Sequence, residues 1–143
     1  MFKLDGWVNE SKLDSYFLST NPRALLYLEE HPNMLDWEGL SKNCEAAHIL
    51  ARNLDKVCWW HLSSNSGAID IINKNHSKIN WDGLSSNPAA IGLLMENQDK
   101  INWDIFNGNP AAIEFLKAIP DKINWTWLSN NIAATQLLSL IHI

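Results

Sequence analysis

Tryptophan recurs every 22 residues over most of this chain, and no other feature constrains the fold as strongly. Each tryptophan opens a similar segment, seen most clearly in residues 81–102, which read WDGLSSNPAAIGLLMENQDKIN. A fixed period of this size is typical of a repeat array, in which each unit packs on its neighbours. We number the tryptophan as repeat position 1. The six copies are residues 15–36, 37–58, 59–80, 81–102, 103–124 and the shorter 125–143.

Each copy predicts two short helices. Asparagine occupies position 7 of all six copies, and proline follows it in three of them, as in Asn87-Pro88. This pair is typical of a helix N-terminus, because Asn accepts a hydrogen bond from a free amide and Pro needs no amide donor. We expect a helix of about nine residues from position 8, with one apolar face. In copy 4 that face is Ala90, Ile91, Leu93 and Leu94.

Other positions predict how the helices begin, end and pack. Position 22 is Asp or Asn in five of its six appearances and should cap a shorter helix, W-x-x-L-S. Position 17 is Asn in three copies, which predicts a left-handed residue at the end of the second helix. Position 10 is always Ala, so we expect backbones to approach closely there. A leucine-rich repeat has a similar period but needs an L-x-L strand, and here Leu84 is followed by Ser85, Ser86 and Asn87.

We therefore predict an all-α fold, an α-solenoid of tandem 22-residue helix–turn–helix repeats that forms a single domain. Residues 15–143 hold five repeats and a truncated sixth, and residues 1–14 form an atypical N-terminal cap. Within the cap, residues 9–14 match the closing segment of a repeat in phase, so the chain enters through a partial repeat. A cap is needed because a stack of helices has an open end. The residues expected to cover it are Phe2, Leu4 and Trp7.

The composition excludes several classes of protein. The net charge of −5 and the pI near 5.4 argue against a surface that neutralises phosphates or rests on anionic lipid. No apolar run approaches the roughly 20 residues that cross a bilayer. The N-terminus, MFKLDGWVNESK, lacks the apolar core of a secretory signal. Cys44 and Cys58 are the only cysteines, which suits a reducing cytoplasm.

The pattern W-x-x-L-S-x-N-P-x-A-I-x-L-L-x-x-N-x-D-K-I-N resembles a short tandem repeat found in proteins of giant nucleocytoplasmic DNA viruses. The similarity covers residues 9–143 and is strongest over residues 59–125. It implies a helical array and a viral origin, hence the host cytoplasm or the virion. The motif carries no catalytic residue, so the resemblance implies little about activity.

The residues themselves favour binding over catalysis. The five histidines share no helical face or metal-ligand spacing, no nucleophile is paired with a base, and no phosphate-binding loop occurs. We expect no enzyme, metal or cofactor. The leading hypothesis is a protein–protein interaction or scaffold module that binds through positions 2, 3, 9, 12, 15 and 16, which vary between copies. The candidate partner-binding residues on these positions are Trp60, His61, Asp82, Met95, Glu114 and Trp127.

Two alternatives stay open. The last copy is unusually apolar, so it either folds back on the stack or drives self-association into a homo-oligomer or a particle. Lysine at position 20 forms a rim that single-stranded nucleic acid could follow, although pairing with the preceding aspartates is the simpler interpretation. The self-association residues are Leu137, Leu140, Ile141 and Ile143, and the rim lysines are Lys56, Lys78, Lys100 and Lys122.

Overall fold

The computed structural model describes residues 6–139, and the side chains of residues 6–135. This part of the chain is all-helical and contains no strand, as the sequence predicts. Twelve short α-helices alternate between the first and second helix of each copy. They are α1 (Ser15–Thr20), α2 (Leu25–Glu30), α3 (Trp37–Lys42), α4 (Ala47–Leu50), α5 (Trp59–Ser64), α6 (Ile69–Lys74), α7 (Trp81–Ser85), α8 (Ile91–Glu96), α9 (Trp103–Asn107), α10 (Ile113–Ala118), α11 (Trp125–Leu128) and α12 (Ile132–Ser139).

The first helix of each copy starts where the capping residue predicts. Asn80 Oδ1 accepts a hydrogen bond of 2.8 Å from the Gly83 amide, and Asp36 Oδ1 accepts one of 2.7 Å from the Gly39 amide. Cys58, which replaces the Asp or Asn in copy 2, makes no such bond. The α-helix therefore begins at position 1 in every copy, and the predicted cap is confirmed wherever its side chain is present.

The second helix begins as a 3-10 turn. Asn87 Oδ1 accepts a hydrogen bond of 2.9 Å from the Ala89 amide, and the turn Pro88–Ala90 then leads into α8. The expected cap at position 7 is thus confirmed, and the helical segment covers the predicted length. Similar turns precede α2, α6 and α10, and a further turn closes most copies at positions 18 to 20. These 3-10 turns are Pro22–Ala24, Ser66–Ala68, Pro88–Ala90 and Pro110–Ala112, and Glu10–Lys12, Pro32–Met34, His76–Lys78, Gln98–Lys100 and Pro120–Lys122.

The predicted end of the second helix was wrong. Asn97 has φ −133° and ψ 51°, and no residue of the described chain has a positive φ. Instead, Asn97 Nδ2 donates a hydrogen bond of 2.9 Å to the Leu93 carbonyl, one turn back. The side chain thus satisfies a carbonyl that the end of the helix leaves free, so the backbone needs no left-handed residue.

A single apolar core runs through the copies. It is built mainly from positions 4, 10, 14 and 21, as in Leu84, Ala90, Leu94 and Ile101, all of which are buried. Burying a leucine side chain stabilises a fold by about 1.5–3 kcal/mol. Helices of this length are unstable alone, so these contacts between copies hold them. Ala at position 10 is buried in copies 1 to 5, so it lies inside the core at the place where the sequence predicts close packing.

A ladder of buried polar side chains, which we call the asparagine ladder, also joins the copies. Asn87 is fully buried, and its Nδ2 donates 2.9 Å to the Ser63 carbonyl at position 5 of the preceding copy. Asn43, Asn65, Asn109 and Asn131 make the equivalent bond at 2.8–3.1 Å. Each of these asparagines therefore caps its own helix with Oδ1 and binds the neighbouring copy with Nδ2.

Serine at position 5 completes this polar network. Ser85 is buried, donates a 2.7 Å hydrogen bond to the Trp81 carbonyl, and accepts one of 3.0 Å from the Asn102 amide. It thus links the end of one first helix to the cap of the next. Asn107 replaces this serine in copy 5 and makes both bonds, accepting from the Asn124 amide at 2.9 Å.

Glycine at position 3 sets how closely consecutive first helices pack. A Cβ at Gly83 would lie 2.4 Å from the Trp60 carbonyl oxygen, and one at Gly39 would lie 2.6 Å from the Tyr16 carbonyl oxygen. The helices α1 with α3, and α5 with α7, make the most extensive contacts among the first helices. The contacts are less extensive where position 3 is His, Ile or Trp. Position 3 therefore lies at a contact between copies rather than on a uniformly open face.

The N-terminal segment follows the predicted phase. The turn Glu10–Lys12 occupies the same repeat positions as Gln98–Lys100. Trp7, however, is 84% exposed, so it does not cover the end of the stack as expected. Phe2 and Leu4, the other residues expected to do so, lie outside the described residues.

Candidate interaction surfaces

The structure brings together two of the six predicted partner-binding residues. Trp60 is 49% exposed on α5, and its ring meets the ring of His61 edge to face with 4.8 Å between centroids. The His61 side chain is only 16% exposed, and its Nε2 lies 3.2 Å from Glu38 Oε1 of the preceding copy. Trp60 is thus available for contact, whereas most of His61 is already used between copies.

The other four residues are spread over several helices. Asp82 is exposed on α7 and accepts a 2.8 Å hydrogen bond from Asn102. Met95 is half-buried against the apolar core. Glu114 is exposed and lies 2.7 Å from Lys117. Trp127 is 44% exposed on α11.

A small charged cluster, the Glu38 cluster, lies on the first helices of copies 1 to 3. Lys42 Nζ donates a 2.6 Å hydrogen bond to Tyr16 Oη and lies 3.4 Å from Glu38 Oε1. The hydrogen bond from His61, followed by that from Lys42, lowers the pKa of the Glu38 carboxyl below its ordinary value. The hydrogen bond to Tyr16 raises the pKa of Lys42. These interactions stabilise the charged form of both groups, so the cluster holds an ionised pair.

The position 20 lysines lie over tryptophans. In copy 4 the Lys100 ammonium is 4.7 Å from the centroid of the Trp81 ring, an arrangement that attracts the cation to the face of the ring. Lys56, Lys78 and Lys122 lie over Trp37, Trp59 and Trp103 at 5.1–5.7 Å. No described ion pair joins these lysines to the preceding aspartates, so the expected charge pairing is replaced by cation–π contact.

Two depressions lie between the second helices of copies 1 to 3. One of about 420 Å³ is formed where α4 meets α6, and one of about 320 Å³ where α2 meets α4. Both are lined by His48, so we treat them as one feature, the His48 groove. His48 Nε2 lies 2.6 Å from Glu29 Oε1 on one wall, and Asp70 and Lys74 form the other.

Small residues line the larger part of this groove, between α4 and α6. Copy 2 has Ala47 at position 11, where the other complete copies have Leu or Ile, and Ala51 at position 15, where every other complete copy has a larger side chain. Its second helix, α4, has four residues and is the shortest of the six second helices, and no 3-10 turn precedes it. The sequence signal was therefore present as two alanines in one copy. The predicted variable positions 12 and 15 include His48 and Ala51, but neither residue was named as a candidate.

Some sequence predictions gain no structural support here. The side chains of Leu137, Leu140, Ile141 and Ile143 lie outside the described residues. Among residues 6–139, no group of three or more His, Cys, Asp or Glu is placed to hold a metal ion. Within the same range, no helix is long and apolar enough to cross a membrane. Both cysteines are free thiols.

Comparison with protein-family models, with curated proteins and with solved structures finds no match to this chain.

Proposed function

We propose that the chain is a short α-solenoid that acts as a non-catalytic protein–protein interaction or scaffold module. The observation that carries this proposal is the His48 groove, a break in the repeat pattern on an otherwise regular stack. The equivalent hydrogen bonds of the asparagine ladder in copies 2 to 6 support the stacked arrangement. The repeat resemblance supports a role in an infected cell or a virus particle.

The groove suits a segment of a protein partner that places a bulky apolar side chain between charged groups. Its floor is apolar, with Ala47, Leu54 and Ile71, while its walls carry the carboxylates Glu29 and Asp70 beside basic side chains. Pockets for small molecules usually enclose most of the ligand. This groove is an open trough shared by three copies, which fits an extended or helical peptide better.

Nucleic acid binding along the lysine rim is the weaker candidate. The rim lysines lie over tryptophan rings, so covering those rings accounts for their recurrence without a ligand. The net charge of −5 also opposes association with a polyanion.

Peptide selection tests the proposal. The full chain is used to select binders from a displayed random-peptide library, and the affinity of the enriched peptides is then measured for three variants. Ala51→Trp fills the groove, and Ala89→Trp makes the same change at an exposed alanine away from it. We expect Ala51→Trp to weaken binding by at least about tenfold and Ala89→Trp to leave it unchanged.

Trp60→Ala serves as the third variant because it tests the first-helix face. Failure to enrich any peptide, or enriched peptides that Ala51→Trp binds normally, would contradict the proposed site. Loss of binding in Trp60→Ala alone would move the site to the first helices. A parallel titration with single-stranded oligonucleotides at low and high salt examines the lysine rim, and salt-sensitive binding there would favour nucleic acid.

A further inference from the structure

The two ends of the stack expose groups that are paired everywhere inside it. Trp125 is 72% exposed, and no described lysine lies over its ring, whereas the equivalent tryptophans of copies 2 to 5 are half-buried under the position 20 lysine. At the opposite end, Lys12 occupies position 20 without a tryptophan beneath it. Each of these residues is the partner that the other lacks.

The polar network is also open at both ends. Asn21 caps its own helix, because its Oδ1 accepts a hydrogen bond from the Arg23 amide. Its Nδ2, unlike that of every later position 7 asparagine, has no acceptor among the described residues. The equivalent acceptor at the far end is the carbonyl of Ser129, an exposed residue, whereas Asn131 is fully buried and its carbonyl already accepts a 3.0 Å hydrogen bond from the Thr135 amide. Asn131 shows the geometry of the missing bond, since its own Nδ2 donates 2.8 Å to the carbonyl of Asn107, at position 5 of the preceding copy.

A second polar pair follows the same pattern. In copies 1 to 5 the position 5 side chain accepts a hydrogen bond from the amide at position 22. Ser129 donates to the Trp125 carbonyl at 2.6 Å and accepts no bond from a described residue. Asp14 occupies position 22 at the other end, and its amide makes no described hydrogen bond.

A hollow marks where an apolar side chain is missing. It has a volume of about 120 Å³ and is lined by Trp125, Leu128, Ser129 and Ala134, at positions 1, 4, 5 and 10. Inside the stack, position 21 belongs to the core beside such residues, as buried Ile101 does in copy 4. Leu13 holds position 21 at the other end and is only half-buried.

We propose that the chain associates head to tail with a second copy of itself, residues 12–14 of one molecule supplying positions 20–22 to the last copy of the next. Leu13 enters the hollow, Lys12 covers Trp125, the Asp14 amide donates to Ser129 Oγ, and Asn21 Nδ2 donates to the Ser129 carbonyl. The contact continues the interface between copies within the chain. Because the two surfaces differ, the contact is heterologous and leads to open-ended assemblies or rings rather than to symmetric dimers.

Complementation between variants tests this interface. Trp125→Glu disables one end and Leu13→Glu disables the other. Phe17→Glu is a second variant of the N-terminal end, because Phe17 holds position 3, which contacts the preceding copy elsewhere in the chain. The Phe17 side chain is 69% exposed, so its substitution should not unfold the protein. Mass is measured by sedimentation velocity over a wide concentration series. We expect the full chain to exceed its monomer mass of 16.3 kDa increasingly with concentration, and each single variant to stay monomeric.

The mixture gives the sharpest result. Trp125→Glu mixed with either N-terminal variant retains one intact pair of ends, so we expect a dimer and nothing larger. Trp60→Glu, a similar change at an exposed tryptophan away from both ends, should associate like the full chain. Any of four results would overturn the proposal. These are a full chain that stays at monomer mass, single variants that still associate, loss of association in Trp60→Glu, and a mixture without dimers. Circular dichroism confirms that every variant is folded.

Discussion

Replacing Asn87 by alanine should cost far more stability than the loss of one helix cap. The Asn87 side chain is fully buried, accepts from the Ala89 amide at 2.9 Å and donates to the Ser63 carbonyl at 2.9 Å. Loss of a cap costs about 1 kcal/mol. Loss of the buried hydrogen bond leaves the Ser63 carbonyl without a partner, which costs about 1–3 kcal/mol more. We therefore expect Asn87→Ala to lower the free energy of unfolding by about 2–4 kcal/mol.

Asn21→Ala is the matched control. Asn21 caps its helix in the same way, with 3.0 Å to the Arg23 amide, but it is exposed and binds no preceding copy. Its loss should therefore cost only about 1 kcal/mol. Urea unfolding followed by circular dichroism, at concentrations low enough to keep the chain monomeric, gives both values. Equal losses for the two variants would refute a stabilising role for the asparagine ladder between copies.

Three further predictions concern packing and charge. Ala90→Leu should destabilise by about 1–3 kcal/mol because Ala90 is buried, while Ala89→Leu at an exposed site should not; equal melting temperatures would contradict this packing. Gly83→Ala should separate two helices and destabilise, whereas Gly92→Ala, which meets open space in α8, should stabilise by about 0.5–1 kcal/mol; melting curves that shift in the same direction would contradict this. The pKa of Glu38 is lowered in the folded state, so its interactions stabilise the fold above the ordinary pKa of 4.5 and are lost as the pH falls through the folded pKa. Glu38→Gln should therefore flatten the acid side of a profile of melting temperature against pH. An unchanged slope there would contradict this role of Glu38.

The sequence predicted the helical units because their signals are local. A cap, a proline and an apolar spacing act within one helix, so Asn80, Pro88 and Leu94 indicate their own surroundings. The hydrogen bond from Asn87 Nδ2 to the preceding copy was not predicted, because its acceptor lies 24 positions away in the sequence. A signal existed, however. Both Asp and Asn occur at position 22, where the cap needs only an acceptor. Position 7 is always Asn, the only one of these two side chains that also carries an amide donor.

The candidate surfaces were harder to predict. A position can vary between copies because it is exposed, or because its side chain adapts to a different packing contact in each copy. Position 3 varies from glycine to tryptophan, which was interpreted as a binding face, yet Gly83 and His61 both lie at contacts between copies. The His48 groove arises from what copy 2 lacks, because Ala47 and Ala51 leave a space that their larger equivalents fill. A missing side chain indicates a groove only once the neighbouring helices are in place.

The buried polar groups also explain why such short helices can stack in one register. Hydrogen bonds fix a register more sharply than apolar contacts do, because they depend steeply on distance and angle. A shift of one residue would separate Asn87 from the Ser63 carbonyl and Ser85 from the Asn102 amide, and unpaired buried groups are costly. At the two ends of the array Asn21 and Ser129 are exposed, and polar groups that face water lose little there. A partner that buries an end must therefore offer amides and carbonyls at the spacing of a repeat, and the opposite end of the same chain carries that spacing.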